Sequence, residues 1–120
     1  MPAAGSMARY RVMEWQNYIT AELHKGFGPL FHPDFDAAAK ALFSAMLQKK
    51  LGWVSQQLEG KHYLTGDTFT AADAYLFTVA GWSGYVDLDI SKHVHLQSFL
   101  KRVAERPAVQ EAMEAEGLIK

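Results

Sequence analysis

Phe69-Thr70-Ala71-Ala72-Asp73-Ala74-Tyr75-Leu76-Phe77 reads as the opening of a helix built for a protein core. Thr70 is a good N-cap, because its hydroxyl can accept from the backbone N–H of Asp73 three positions on. The Asp73 carboxylate can reach back to the N–H of Thr70, and it sets negative charge at the positive end of the helix dipole. Residues 74–79 carry no charge. A helix that is apolar on most faces belongs inside a fold. Its end groups cannot be left dry there, since a buried unpaired group costs ~1–3 kcal/mol. The pair Thr70 and Asp73 is therefore expected to be a structural capping box.

Outward from this stretch the chain reads as helices throughout. No segment alternates with period two, so no sheet is expected. A first helix is predicted over 7–25, with Ala8, Val12, Trp15, Ile19 and Leu23 on one face, Ser6 as cap and Gly26 as stop. A loop is predicted over 27–34, broken by Gly28, Pro29 and Pro33. A long helix over 35–59 carries Leu47, Leu51, Val54 and Leu58 as its later stripe and Ala38, Leu42 and Ala45 as its earlier one; Gly60 ends it. Gly66-Asp67 marks a turn before the central helix, predicted over 71–86. A helix over 92–106 turns Leu96, Phe99, Leu100 and Val103 inward. Pro107 then opens a last one, ending before Gly117, with Val109, Ala112 and Met113 inward. The expected fold class is all-α, a single bundle of five helices (four to six).

Composition narrows the function classes. A chain of 120 residues, 49% hydrophobic and 21% charged, suits one globular domain. Lys+Arg 12 against Asp+Glu 13 gives a formal charge of -1, which argues against a nucleic-acid partner. No apolar run approaches the ~18 residues of a membrane span, and no signal-peptide pattern opens the chain, so cytoplasm is the default expectation. The absence of cysteine excludes disulfides, thiolate metal sites and a cysteine nucleophile. His93 and His95 are two apart, His32 and His62 lie in loops, and no His-Glu-x-x-His run exists, so no metal site is expected.

Three further segments give the capped helix a family context. Glu22-Leu23-His24-Lys25-Gly26-Phe27-Gly28-Pro29-Leu30-Phe31 resembles the loop after the first helix of the carboxy-terminal domain in bacterial beta-class glutathione transferases. Ala104-Glu105-Arg106-Pro107-Ala108-Val109-Gln110 resembles the start of that domain's last helix, and Ala8-Arg9-Tyr10-Arg11 ahead of Glu14-Trp15 resembles its first. The Phe-Thr-x-x-Asp stretch itself is similar to the domain's folding motif. The four occur in the family's order, and the likeness runs from Ala3 to the C-terminus. It implies a helical domain over 7–120. Residues 1–6, Met1-Pro2-Ala3-Ala4-Gly5-Ser6, are then read as an interdomain-linker remnant, or as a cloning remnant ahead of Met7. The partner it implies is an amino-terminal, thioredoxin-like domain absent from this chain.

The same likeness assigns candidate roles. His24 and Lys25 match a His-Lys pair that lines the glutathione site. There His24 would polarise or hydrogen-bond the sulfur as a catalytic residue, and Lys25 would meet a carboxylate. The residues alone allow a plainer role, since an imidazole near a helix C-terminus meets the dipole favourably. Phe27, Phe31, Tyr75 and Trp82 form an aromatic set, read either as core packing or as a hydrophobic wall for apolar electrophiles; Tyr75 and Trp82, seven apart, share a helix face.

Glutathione is the implied co-substrate. The thiol-contacting residue and the γ-glutamyl contacts belong to the thioredoxin-like domain, so this chain alone is expected to be inactive. Its partners would be a second copy or a thioredoxin-like chain. The alternatives are a non-catalytic assembly module of the same fold and a fragment without independent function.

Overall fold

The computed structural model describes residues 3–117, whose regular elements are all helical, with no strand among them. Helix α1 spans Met7–Tyr18, passes through a π-helical turn over Ile19–His24, and continues without a break as α2, Lys25–Phe31. Helix α3 is Ala37–Gln57, α4 is Ala71–Gly81 followed by a 3-10 turn over Trp82–Tyr85, α5 is Val94–Ala104 and α6 is Pro107–Ala115. With α1, the π turn and α2 taken as one rod, five helical stretches form the bundle, as the sequence led us to expect. Two positions of the expected linker, 1 and 2, and the last three of the expected domain, 118–120, lie outside the described residues.

The expected loop over 27–34 is the main departure. Gly26 does not stop the helix; the rod runs on to Phe31, with Pro29 inside it. The physical reason lies in the π turn. The N–H of Lys25 donates to the carbonyl of Thr20, five residues back, so the turn holds one residue more than an α turn. Pro29 is the fifth of the seven residues of α2, so the rod carries it close to its end, two residues before Phe31. Gly26 is needed for approach instead. A Cβ there would lie 3.0 Å from Leu47 Cδ1 on α3, so the glycine lets α2 press against that helix.

The core runs along one face of each rod. Val12, Ile19, Leu23, Phe27 and Leu30 line the first; Leu47, Leu51, Val54 and Leu58 line α3; Leu96, Phe99 and Val103 line α5. The earlier stripe proposed for α3 fails, since Ala38, Leu42 and Ala45 are exposed. Phe43 is the residue in phase with Leu47, and it is half-buried against the core while Phe35 stacks on its ring. Ala8 and Ala112 also face solvent, and α6 buries no residue fully. Gly60, with φ +75, follows α3 as its C-terminal punctuation.

The opening of α4 is tied more tightly than a capping box alone requires. The box is present, and its carboxylate half is the strong one. Asp73 Oδ2 accepts from the Thr70 N–H at 2.8 Å and from the Thr70 hydroxyl at 3.2 Å. The Asp73 N–H lies 3.0 Å from the Thr70 carbonyl, which leaves the hydroxyl a loose acceptor. Asp73 Oδ1 accepts a third bond, 2.8 Å, from the N–H of Leu64. Asp73 has no exposed surface. Burial pushes its pKa above the ordinary carboxylate value, against the opposing pull of the bonds from Leu64 and Thr70 and of the Arg106 charge. The Arg106 guanidinium closes this corner, 4.1 Å from the Phe69 ring centroid and hydrogen-bonded to the Tyr63 hydroxyl at 3.0 Å.

Candidate functional site: an aromatic cavity beside a histidine

The π turn ends at His24, and the 3-10 turn after α4 begins at Trp82. These two irregular turns meet. The His24 and Trp82 ring centroids are 5.0 Å apart at an interplanar angle of 72°. Trp82 is the hub of the aromatic set, with Phe27 edge-on at 6.0 Å and Phe31 edge-on at 6.2 Å. Together His24, Phe27, Gly28, Phe31, Trp82 and Tyr85 line an open, largely apolar cavity of about 520 Å³. That is within the ~300–1,000 Å³ of small-molecule sites. Phe27 is fully buried and forms the floor, whereas Phe31 is half-exposed at the rim.

The candidates named from the sequence divide here. His24, Phe27, Phe31 and Trp82 come together around one space. Tyr75 does not line it. Its hydroxyl lies 2.9 Å from His24 Nδ1 and 3.0 Å from Thr20 Oγ1, so it holds the histidine from behind. Lys25 is exposed and also outside the lining. Two residues were missed. Tyr85 is largely exposed at the cavity mouth, and its spacing of three from Trp82 was the available signal. Thr20 stands four before His24, the same kind of signal.

Other polar clusters have structural partners. His93, buried at the N-cap of α5, contacts Gln48 Oε1 through Nε2 at 2.6 Å, and Gln48 in turn donates to the Asp89 carbonyl at 2.6 Å. Burial, and then the nearby Lys92 charge, lower the His93 pKa. The exposed Asp89 carboxyl is also lowered, first by its hydrogen bonds from Ser91. His62 pairs with Asp67 at 3.3 Å. No group of three or more metal-ligating side chains exists among the described residues. A second cavity of about 450 Å³, flanked by Arg11, Trp15, Tyr18 and Trp53, shares no lining residue with the first. Burial and the Glu22 charge raise the pKa of Tyr18 there. Among the described residues no helix is long and apolar enough to cross a membrane.

The comparisons with known proteins agree with this architecture. The family model described as glutathione S-transferase, C-terminal domain, matches residues 18–107. The glutathione S-transferase GstA of Escherichia coli O157:H7 is 50% identical over 113 residues, covering 94% of this chain and 56% of that protein. The ternary complex of BphK, a bacterial glutathione transferase, superposes with a TM-score of 0.92 at 48% identity, covering 97% of this chain and 58% of the other. A sphingomonad glutathione S-transferase complexed with glutathione gives 0.91 at 36% identity, covering 98% and 59%. The chain thus spans a little over half the length of these relatives. With its bundle and four ordered sequence segments, it belongs to the glutathione S-transferase C-terminal domain family.

Proposed function

We propose that this chain supplies one half of a glutathione site, completed by a thioredoxin-like domain, for joining glutathione to small apolar electrophiles. In this reading His24 is the catalytic residue at the thiol and takes part in glutathione binding. Phe27, Phe31 and Trp82, with Tyr85 at the rim, form the wall against which the electrophile packs, and Tyr75 backs the histidine. Lys25, exposed beside His24, meets a glutathione carboxylate. The other half lowers the thiol pKa and grips the tripeptide, so the isolated chain binds weakly and does not turn over.

The observation that carries the reading is the cavity of about 520 Å³, with a histidine at one edge and aromatic rings around the rest. An apolar wall recognises area more than shape, which suits a broad range of electrophiles. An imidazole at its edge can accept a thiol proton or donate to a thiolate. The glutathione in the sphingomonad relative's structure supports the choice of co-substrate. Exposed Leu42, Met46 and Trp53 on α3, with Tyr10 and Met13 on α1, support association with a second copy or with the thioredoxin-like domain. We place the activity in the cytoplasm, where glutathione is abundant.

The test is an NMR titration of the chain with glutathione and with an S-alkyl glutathione. We expect shift changes grouped on His24, Phe31, Trp82 and Tyr85, larger for the alkylated form. Changes grouped elsewhere, or none at millimolar ligand, would contradict the assignment.

A further inference from the structure

Three short contacts run in series from α1 through the π turn to α4. Thr20 Oγ1 donates to the Gln16 carbonyl at 2.9 Å, Tyr75 Oη lies 3.0 Å from Thr20 Oγ1, and His24 Nδ1 lies 2.9 Å from Tyr75 Oη. A carbonyl has no proton to give, so the first contact consumes the only hydroxyl proton of Thr20. Thr20 Oγ1 is then an acceptor, and the second contact consumes the only proton of Tyr75. Tyr75 Oη is in turn an acceptor, and the third contact needs a proton on His24 Nδ1. In this order three protons fill three contacts. The reverse order, with Tyr75 donating to Nδ1 and Thr20 donating to Tyr75, leaves two oxygens facing each other at 2.9 Å with no proton between them. Such a bare contact is unfavourable where a satisfied alternative exists.

We propose that Thr20 and Tyr75 are positioning residues that hold His24 in its Nδ1–H tautomer, leaving Nε2 as the ring's acceptor. The inference deepens the glutathione-site reading and rests on it for its use, not for its geometry. A glutathione thiol at the cavity edge would pass its proton to Nε2. The S–H bond breaks, an N–H bond forms, and the electron pair stays on sulfur. The resulting imidazolium still donates from Nδ1 to Tyr75, so the relay serves both protonation states without turning a side chain. The π turn has a part in this, because it carries both Thr20 and His24, which meet one hydroxyl of α4. The contacts join residues 55 and 51 apart in sequence, so the relay also fixes the π turn against α4.

The experiment is a long-range proton–nitrogen correlation spectrum of this chain at mildly alkaline pH, where imidazoles are neutral. For the native protein we expect a pyrrole-type Nδ1 and a pyridine-type Nε2 at His24. Thr20→Val frees the Tyr75 proton to donate to Nδ1, so the two nitrogen signatures should exchange. Tyr75→Phe removes the acceptor and should shift the ring toward the Nε2–H form that free histidine prefers. Thr20→Ser should restore the native pattern, which a merely structural loss would not do. A pyrrole-type Nε2 in the native chain, or no change in Thr20→Val, overturns the relay. Glutathione added to the same sample separates the two ideas. Native tautomer signatures with no response of His24 to glutathione keep the relay and sink the site; the opposite tautomer with a response does the reverse.

Discussion

Asp73 accepts the backbone N–H of Leu64 at 2.8 Å, nine residues upstream and outside its own helix. One buried carboxylate thus closes the start of α4 and pins the turn that precedes it, where Tyr63 and Gly66 exchange backbone bonds of 2.8 and 3.1 Å.

Removing that carboxylate should cost more than an ordinary cap. Asp73→Ala loses the cap on the part-buried Thr70 N–H, ~1 kcal/mol, and leaves the buried Leu64 N–H without an acceptor, at ~1–3 kcal/mol before relaxation. We expect a loss of about 3 kcal/mol by urea unfolding. Thr70→Ala should cost under about 1 kcal/mol, because it is the Thr70 backbone N–H that makes the 2.8 Å bond. Equal losses in the two variants would show that the hydroxyl half of the box dominates.

Two glycines of α2 should respond with opposite signs. A Cβ at Gly26 meets Leu47 Cδ1 at 3.0 Å, and Leu47 is buried, so the methyl forces repacking. A Cβ at Gly28 meets nothing within 4 Å. Gly28→Ala should therefore gain up to ~1 kcal/mol of helix propensity. Gly26→Ala should lose about 1 kcal/mol despite the same gain. Thermal unfolding of both variants checks this, and stabilisation by Gly26→Ala would disprove the close approach of α2 to α3.

His93 should make stability fall in mild acid. Its folded pKa lies below the unfolded value because burial, and secondarily Lys92, disfavour the cation. For a base lowered in this way, its stabilising contribution is complete above the unfolded pKa of ~6.5 and is lost as pH falls through the folded value. Denaturant midpoints between pH about 8 and 5 should slope downward toward acid. His93→Gln should flatten that slope, and an unchanged slope would assign the acid sensitivity to other groups.

Trp82 should govern the cavity more than Phe31 does. It contacts His24, Phe27 and Phe31 together, whereas Phe31 is half-exposed. Trp82→Ala should weaken binding of an S-alkyl glutathione about tenfold or more, measured by NMR line position, and Phe31→Ala several-fold. The reverse order would move the wall toward the rim.

Much of this architecture was legible in the sequence because helical periodicity records burial. Leu47, Leu51, Val54 and Leu58 were read as one stripe, as were Leu96, Phe99, Leu100 and Val103, and all are buried except Leu100, which is half-buried against the core. Periodicity held even through the π turn, where Ile19 and Leu23 are buried as read. Glycine and proline punctuation misled instead: Gly26, Gly28 and Pro29 read as a stop and a loop, but the helix runs on to Phe31. Periodicity failed at the half-covered start of α3, where Leu42 is 61% exposed and Phe43 takes the inward position. The candidate site was named residue by residue through family likeness. Its internal wiring was not legible, since the Tyr75 contacts to Thr20 and His24 span more than fifty residues and leave no periodic trace.

The half-site claim is tested most directly by a conjugation assay on this chain alone and on the chain joined to the amino-terminal portion of its Escherichia coli O157:H7 relative. We expect no turnover from the chain alone, turnover from the joined protein, and a loss in kcat/KM of about 10²-fold when His24→Ala is introduced there. Robust turnover by the isolated chain, or a joined enzyme indifferent to His24, would contradict it.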